Sequence, residues 1–204
     1  MKRKLPLLLV IISTLILLLI VVFIDSVSIT VFDSWFYNWT SLKMNSNLTL
    51  AMRFITESGS SAAVIILCLS FFMFKKTRVH WALPVSLSVV IAALSNFLLK
   101  LVFVRERPDI LRLVDESSYS FPSGHAMINM SFYTMIILLT WKYIKNKILK
   151  YLISFVCVIM PLLIGFSRIY LGVHYATDVI AGWLLGLIAA VIIFTIINKK
   201  KDEV

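Results

Sequence analysis

Charge is scarce in this chain of 204 residues: Asp, Glu, Lys and Arg make up 15% of it. Ordinary soluble domains carry roughly 25%. The shortage is lopsided, with 10 acidic residues against 20 basic ones and a formal net charge of +10 at pH 7. Cysteine is nearly absent: Cys68 and Cys157 both sit in apolar runs, which excludes a disulfide framework and a cysteine zinc site and leaves two small buried hydrophobes. Internal repeats, low-complexity segments and a second domain are also missing, so residues 1–204 read as a single unit. What is abundant is apolar surface: 60% of residues are hydrophobic, and mean hydropathy is +0.96. That composition excludes a disordered chain and a soluble globular enzyme and points to a polytopic, all-α membrane protein. The basic excess would suggest nucleic acid in a soluble chain. Here the bilayer is the expected partner, and the question becomes where the charges sit relative to it.

A hydrocarbon core of roughly 30 Å needs about 20 apolar residues per helix. Six runs qualify: Leu5 to Ile24, Ser58 to Phe74, Trp81 to Val104, His125 to Trp141, Tyr151 to Phe166 and Thr177 to Ile197. The first follows Lys2-Arg3-Lys4 like a signal peptide, but Asp25-Ser26-Val27-Ser28 offers no cleavage site, so a retained helix is expected. Six spans put both termini on one side. Of the 20 basic residues, 13 lie in segments of that side: Lys2, Arg3, Lys4, Lys75, Lys76, Arg78, Lys142, Lys145, Lys147, Lys150, Lys199, Lys200 and Lys201. The positive-inside rule makes it cytoplasmic, in the plasma membrane. The other 7 are Lys43, Arg53, Lys100, Arg105, Arg107, Arg112 and Arg168. They oppose the topological bias near helix ends and are candidates for binding an anion. Trp81 and Trp141 fall where belt tryptophans are expected.

The first outer loop, 25–57, is the only long one. Val31, Phe32, Trp35, Phe36, Trp39 and Leu42 share one face at helical spacing, as in a short interfacial helix that packs and anchors. The loops hold no soluble module, so any chemistry must be built from helix ends.

Three clusters fall on that outer face. In the first, Lys100 and Arg107 are two helical turns apart, on one face of a third span expected to end near Arg107, before Pro108. Snorkelling to the interface accounts for Arg105 and Arg112 but not for Lys100, which lies deeper with no acid near it in sequence. The second is Phe121-Pro122-Ser123-Gly124-His125. Ser123 is a natural N-cap, Gly124 permits close backbone approach, and a helix start with free N–H groups favours a phosphate. An ordinary turn into a helix is the competing reading, and His125 in the first turn weighs against it. The third runs from Ser167-Arg168 to His174 and Asp178. If the sixth helix has begun by His174, a carboxylate four residues on can fix the imidazole tautomer. A plain capping Asp is the alternative.

Together the clusters supply three cations, two imidazoles, one carboxylate and a backbone nest. No carboxylate cluster for Mg²⁺ or Ca²⁺ accompanies them. Zinc on His125 and His174 would be repelled by the three cations. The set suits metal-independent phosphoryl transfer without a cofactor: cations and N–H groups neutralise oxygens, one imidazole attacks and the other protonates the leaving group.

The pattern K-x6-RP, PSGH, SR-x5-H-x3-D stands here as Lys100 to Arg107-Pro108, Pro122-Ser123-Gly124-His125, and Ser167-Arg168 to His174 to Asp178. In this it resembles the type 2 phosphatidic acid phosphatases, or lipid phosphate phosphatases, which share their site with vanadium haloperoxidases. The resemblance covers positions 100 to 178 without a gap. It implies that His174 attacks phosphorus and carries a phosphohistidine, that Asp178 orients it, and that His125 is the general acid. It also implies that Lys100, Arg107, Arg168, Ser123 and the Gly124 N–H hold the phosphate of a lipid substrate. Size and basic N-terminus look most like bacterial phosphatidylglycerophosphate phosphatases that also take undecaprenyl diphosphate. A transporter would instead need charges deep in several spans, whereas spans one, two and five have none in their cores. A haloperoxidase would need bound vanadate. Preferred lipid and oligomeric state are not written in the sequence.

Overall fold

The computed structural model describes residues 4–73, 75–109 and 111–202. Lys2 and Arg3 of the expected inner set, and Phe74 at the expected end of the second run, lie outside them. The described residues are helical, with no strand: α1 (Lys4–Val22), α2 (Val27–Ser41), α3 (Ser46–Ser58), α4 (Ser61–Ser70), the single turn α5 (Lys75–Thr77), α6 (Leu83–Phe103), α7 (Gly124–Tyr143), α8 (Lys147–Tyr170) and α9 (Ala176–Asp202). A π turn, Arg78–Ala82, leads into α6.

Among the described residues, three stretches are long and apolar enough to cross a membrane: Arg78–Phe103, Lys147–Tyr170 and Ala176–Lys199. Two bent pairs qualify only when joined: residues 6–22 with Val27–Ser41, bent by 104°, and Ser46–Ser58 with Ser61–Ser70, bent by 48°. The run expected from Ser58 to Phe74 holds α4, while α3 lies in the stretch expected as the first outer loop, and the two helices meet at Gly59-Ser60. Asn45 and Ser60 cap α3 and α4 through the N–H groups of Leu48 and Ala63. The break is pinned: Asn129 Nδ2 donates to the Gly59 carbonyl at 2.7 Å, and a Cβ on Gly59 would lie 2.6 Å from Ile164.

α7 is less apolar than these stretches for a mechanical reason. It is the hub, packed against α6, α8 and α9, and buries polar Asn129, Ser131 and Thr140 with Ala126, Met127 and Met135. Its closest approach is to α9. A Cβ at Gly182 would sit 2.7 Å from the Ser123 carbonyl, and one at Gly186 only 2.3 Å from that of Met127. Small residues four apart let two backbones touch, the usual device where lipid supplies no hydrophobic drive. On α6 the stripe Ser88, Ala92, Asn96 faces the same hub, with Ser88 Oγ 2.6 Å from Ser131 Oγ. α6 and α8 end, and α7 and α9 begin, at the same end of the bundle, which brings the three motif clusters together.

On α2, Val31, Trp35, Trp39 and Leu42 point outward, while Asp33 and Thr40 are buried. Phe36, expected on the same face, instead packs inward against Phe166, and Ser34 and Asn38 stay exposed.

Candidate active site

The clusters line one cavity of about 210 Å³ at that end of the bundle. Lys100, Arg107, Gly124, His125 and His174 reach it directly, joined by Asn96, Glu116, Ser118, Gly59 and Ser61. Ser123, Arg168 and Asp178 stand just behind these, buried.

The route to this arrangement differs from the spacing argument in three places. First, Lys100 and Arg107 do not share a helix: α6 stops at Phe103, where Val104 takes φ 46° and ψ 28°. Positive φ at a β-branched residue is strained, by roughly 1–3 kcal/mol. The kink frees residues 105–107 from the helix, so that Arg105 and Arg107 aim at different partners. Lys100 continues the inward stripe of α6 one turn beyond Asn96 and donates to Ser118 Oγ at 3.3 Å and to the Tyr119 carbonyl. Second, α9 begins at Ala176, so His174 lies in the loop before it. Its Nδ1 still faces Asp178 Oδ2, at 3.4 Å. Third, Ser123 occupies the N-cap position of α7 but makes no capping bond. Its Oγ is buried without a partner among the described residues, as are Arg168 Nε and Thr140 Oγ1. Two of these three atoms belong to the motif clusters and can serve an anion.

His174 is 3% exposed, and burial pushes its imidazole down to about 4, with the Asp178 carboxylate pulling the other way. The ring is therefore neutral near pH 7. Nδ1 faces a carboxylate and Nε2 faces Arg107 Nη1 at 3.3 Å, so the partners assign the proton to Nδ1 and the lone pair to Nε2, on the cavity side. Such an imidazole can attack an electrophile held by the cations. His125, in the first turn of α7, faces the same space.

Asp178 is fully buried and heavily bonded. Its Oδ1 accepts from Arg105 Nη1 at 2.5 Å, and its Oδ2 accepts from Ser120 Oγ at 2.5 Å and the Tyr175 N–H at 2.9 Å. The snorkelling expected for Arg105 is overturned: it is 15% exposed, bonded to Asp178 and Asp33, with its guanidinium 4.1 Å from the centre of the Tyr175 ring. Burial opposes its charge, but the two carboxylates outweigh that and hold it above its ordinary value.

Glu116 is a further residue the spacing did not reveal. It pairs with Arg168 Nη2 and stands 3.7 Å from Arg107 Nη2, while Arg168 Nη1 donates to Thr56 Oγ1 at 2.9 Å. Four acids, Glu106, Asp109, Asp115 and Glu116, share that loop with Arg105, Arg107 and Arg112, and nothing in the spacing singles out Glu116. Asp33 likewise reads as an ordinary polar residue in an aromatic helix.

The PAP2 superfamily profile matches residues 81–202. The chain is 38% identical over 150 residues to phosphatidylglycerophosphatase B of Bacillus subtilis (strain 168), covering 69% of this chain and 71% of that protein. It is 33% identical over 144 residues to an undecaprenyl-diphosphatase of Sulfolobus acidocaldarius, covering 66% of this chain and 64% of that one. Its fold superposes on the crystal structure of the transmembrane PAP2-type phosphatidylglycerolphosphate phosphatase from Bacillus subtilis with a TM-score of 0.83 and 30% identity, over 93% and 96% of the two chains. With the three motifs gathered at one cavity, a matching profile over more than half the chain and a shared fold, this membrane protein belongs to the PAP2 superfamily.

Proposed function

We propose that this chain is a metal-independent lipid phosphatase that releases the terminal phosphate of a lipid phosphate through a phosphohistidine, with phosphatidylglycerophosphate as its main substrate. The observation that carries the chemistry is His174: neutral, backed by Asp178 on Nδ1, with Nε2 beside Arg107 at the cavity wall. The choice of lipid leans on the similarity to phosphatidylglycerophosphatase B. The similarity to an undecaprenyl-diphosphatase supports a second reading, removal of the terminal phosphate from an undecaprenyl diphosphate.

In the first half-reaction Lys100, Arg107, Arg168, Ser123 and the Gly124 N–H hold the phosphate, and the N-terminus of α7 adds its dipole. His174 Nε2 forms a bond to phosphorus as the bond to the leaving oxygen breaks. His125 gives that oxygen its proton. The ring, now carrying phosphorus on Nε2, is cationic and is steadied by Asp178. In the second half-reaction water attacks phosphorus, the N–P bond breaks, and His125 takes the proton from water. The cations neutralise charge on the equatorial oxygens, so the residues present can do the work assigned elsewhere to Mg²⁺.

The chain acts as one domain in the plasma membrane. The six runs serve as spans, α2 lies at the interface, both termini are cytoplasmic and the cavity opens on the extracytoplasmic face. Lys142, Lys145, Lys147, Lys150 and Lys199 cluster at the opposite end of the helices from the cavity, which supports that orientation. The test is phosphate release by purified protein from phosphatidylglycerophosphate, phosphatidate, undecaprenyl diphosphate and a soluble phosphate ester, with EDTA and with vanadate. The expected result is activity that survives EDTA, stops with vanadate and is highest on phosphatidylglycerophosphate. Loss on chelation with recovery on Mg²⁺ would overturn the metal-independent mechanism.

A further inference from the structure

Behind Asp178 lies a second buried carboxylate, brought in by an element remote from the motifs. Asp33, from the middle of α2, is 2% exposed. Its Oδ2 accepts from Arg105 Nη2 at 2.9 Å and from Thr177 Oγ1 at 2.7 Å, while its Oδ1 accepts from the Thr177 N–H at 2.9 Å. Arg105 in turn donates through Nη1 to Asp178 Oδ1 at 2.5 Å. The result is a continuous chain, Asp33–Arg105–Asp178–His174, running from α2 to the cavity.

We propose that Arg105 and Asp33 are a positioning pair for Asp178: Arg105 fixes the carboxylate so that Oδ2 faces the His174 ring, and Asp33 shares Arg105's charge so that Asp178 keeps its own. The inference rests on the reading of His174 as nucleophile. A carboxylate in contact with one guanidinium and nothing else would form a neutral pair and offer the imidazole little. Two carboxylates around one guanidinium leave one net negative charge. That charge lies against the ring that becomes cationic when Nε2 bonds to phosphorus. The geometry divides the labour: Arg105 takes Oδ1, and Oδ2 is left to Ser120, the Tyr175 N–H and His174. The other charged groups at the cavity are Arg107 from the loop, Arg168 from α8 and Lys100 from α6, with one acid, Glu116, paired with Arg168 and 3.7 Å from Arg107; His125 on α7 is the second imidazole there. Glu116 offsets Arg168 and Arg107 on the cavity side, and the negative charge from the α2 side acts on the Asp178 side of the ring.

A simple strut tying the loop and α9 to α2 would use the same bonds, so the test must separate charge from scaffolding. Asp33→Asn keeps the tie to the Thr177 N–H through its amide oxygen but loses the charge and the bond from Arg105, so the direction in which the pH profile moves, which a strut would not set, carries the distinction. Wild type, Arg105→Gln, Asp33→Asn and the double variant are assayed as full-length protein in mixed micelles with phosphatidylglycerophosphate. Arg105→Gln should lower kcat about tenfold or more, with KM and inhibition by inorganic phosphate changed less than about threefold. Asp33→Asn should lower kcat less, and should add nothing once Arg105 is already Gln. The acid limb of the kcat/KM profile should move up in Arg105→Gln, where a cation is lost, and down in Asp33→Asn, where an anion is lost. Limbs that stay put or move together, losses that multiply in the double variant, or a kcat within about twofold of wild type for Arg105→Gln overturn the proposal. If Arg105→Gln aggregates on size exclusion, the direction of the limb in Asp33→Asn decides alone. A wild-type protein that releases no phosphate from any lipid phosphate sinks the phosphatase reading itself, whereas active wild type with indifferent variants sinks only the pair.

Discussion

Glu116 occupies ground that a phosphate would need. Its carboxylate pairs with Arg168 and lies 3.7 Å from Arg107, two of the groups assigned to the phosphate. A bound phosphate must therefore displace it or share with it. The gross attraction of unit charges at 4 Å is about 4 kcal/mol at an effective dielectric of 20. Its carboxylate is 29% exposed and regains hydration on release, so the net bond is nearer the ~1.5–3 kcal/mol of a charged hydrogen bond. Glu116→Gln keeps the shape and a neutral bond of about 0.5–1.5 kcal/mol. The difference, about 1–1.5 kcal/mol, is roughly tenfold in affinity. Inorganic phosphate and vanadate should thus inhibit Glu116→Gln about tenfold more tightly than wild type, with inhibition constants measured at one pH and salt concentration. Unchanged inhibition would show that Glu116 does not compete for the arginines. Weaker inhibition would show that it builds the cradle by holding them in place.

Other outcomes are expected. Arg168→Lys should cost about one to two powers of ten in rate, because an ammonium cannot match the two parallel hydrogen bonds a guanidinium gives a phosphate; a rate within about twofold of wild type would remove Arg168 from the transition state. His174 should remain neutral at pH 5 by imidazole NMR, since burial holds it at about 4. A depressed value means that the unfolded chain takes up the proton first, so stability from this burial is complete above the ordinary 6.5 and is lost as pH falls towards 4. His174→Ala should be dead on every substrate and never trap phosphate, whereas His125→Ala should retain relatively more activity with a good leaving group such as an aryl phosphate. Equal losses in both variants across all leaving groups would end the assignment of separate roles.

The part of the site that could be read in advance is the part that is local in sequence. His174 and Asp178 are four apart and remain in contact although α9 starts two residues after His174. Lys100 was identifiable as a cation too deep to snorkel, and it extends the buried stripe of Ser88, Ala92 and Asn96. The long apolar runs gave α1, α6, α8 and α9, because a membrane helix is specified by composition over many residues. The start of the second run near Ser58 was legible, but α3 before it read as outer loop, and its end-to-end junction with α4 at Gly59-Ser60 shows only once Asn129 and Ile164 are seen to hold it. The weak apolarity of α7 is likewise explained only by its neighbours, which bury Asn129 and Ser131.

Arg105 shows why the remainder stayed hidden. A single residue, Glu106, separates it from Arg107, and in a regular helix the two arginines would point to different faces, one of them outward. Only the left-handed turn at Val104 releases both, and nothing in a β-branched residue announces positive φ. Once released, Arg105 finds Asp33, which is 72 residues away in sequence, and Asp178, which is 73 away. Neither pairing has a periodicity, because the chain closes it through three packed elements. The same reasoning covers Glu116, whose partner Arg168 is 52 residues on. Acids that neutralise a cationic site from a distance leave no local pattern, yet they decide how much charge reaches His174. Single-sequence reading therefore finds the groups that face the cavity, while the groups that set their charge require the folded chain.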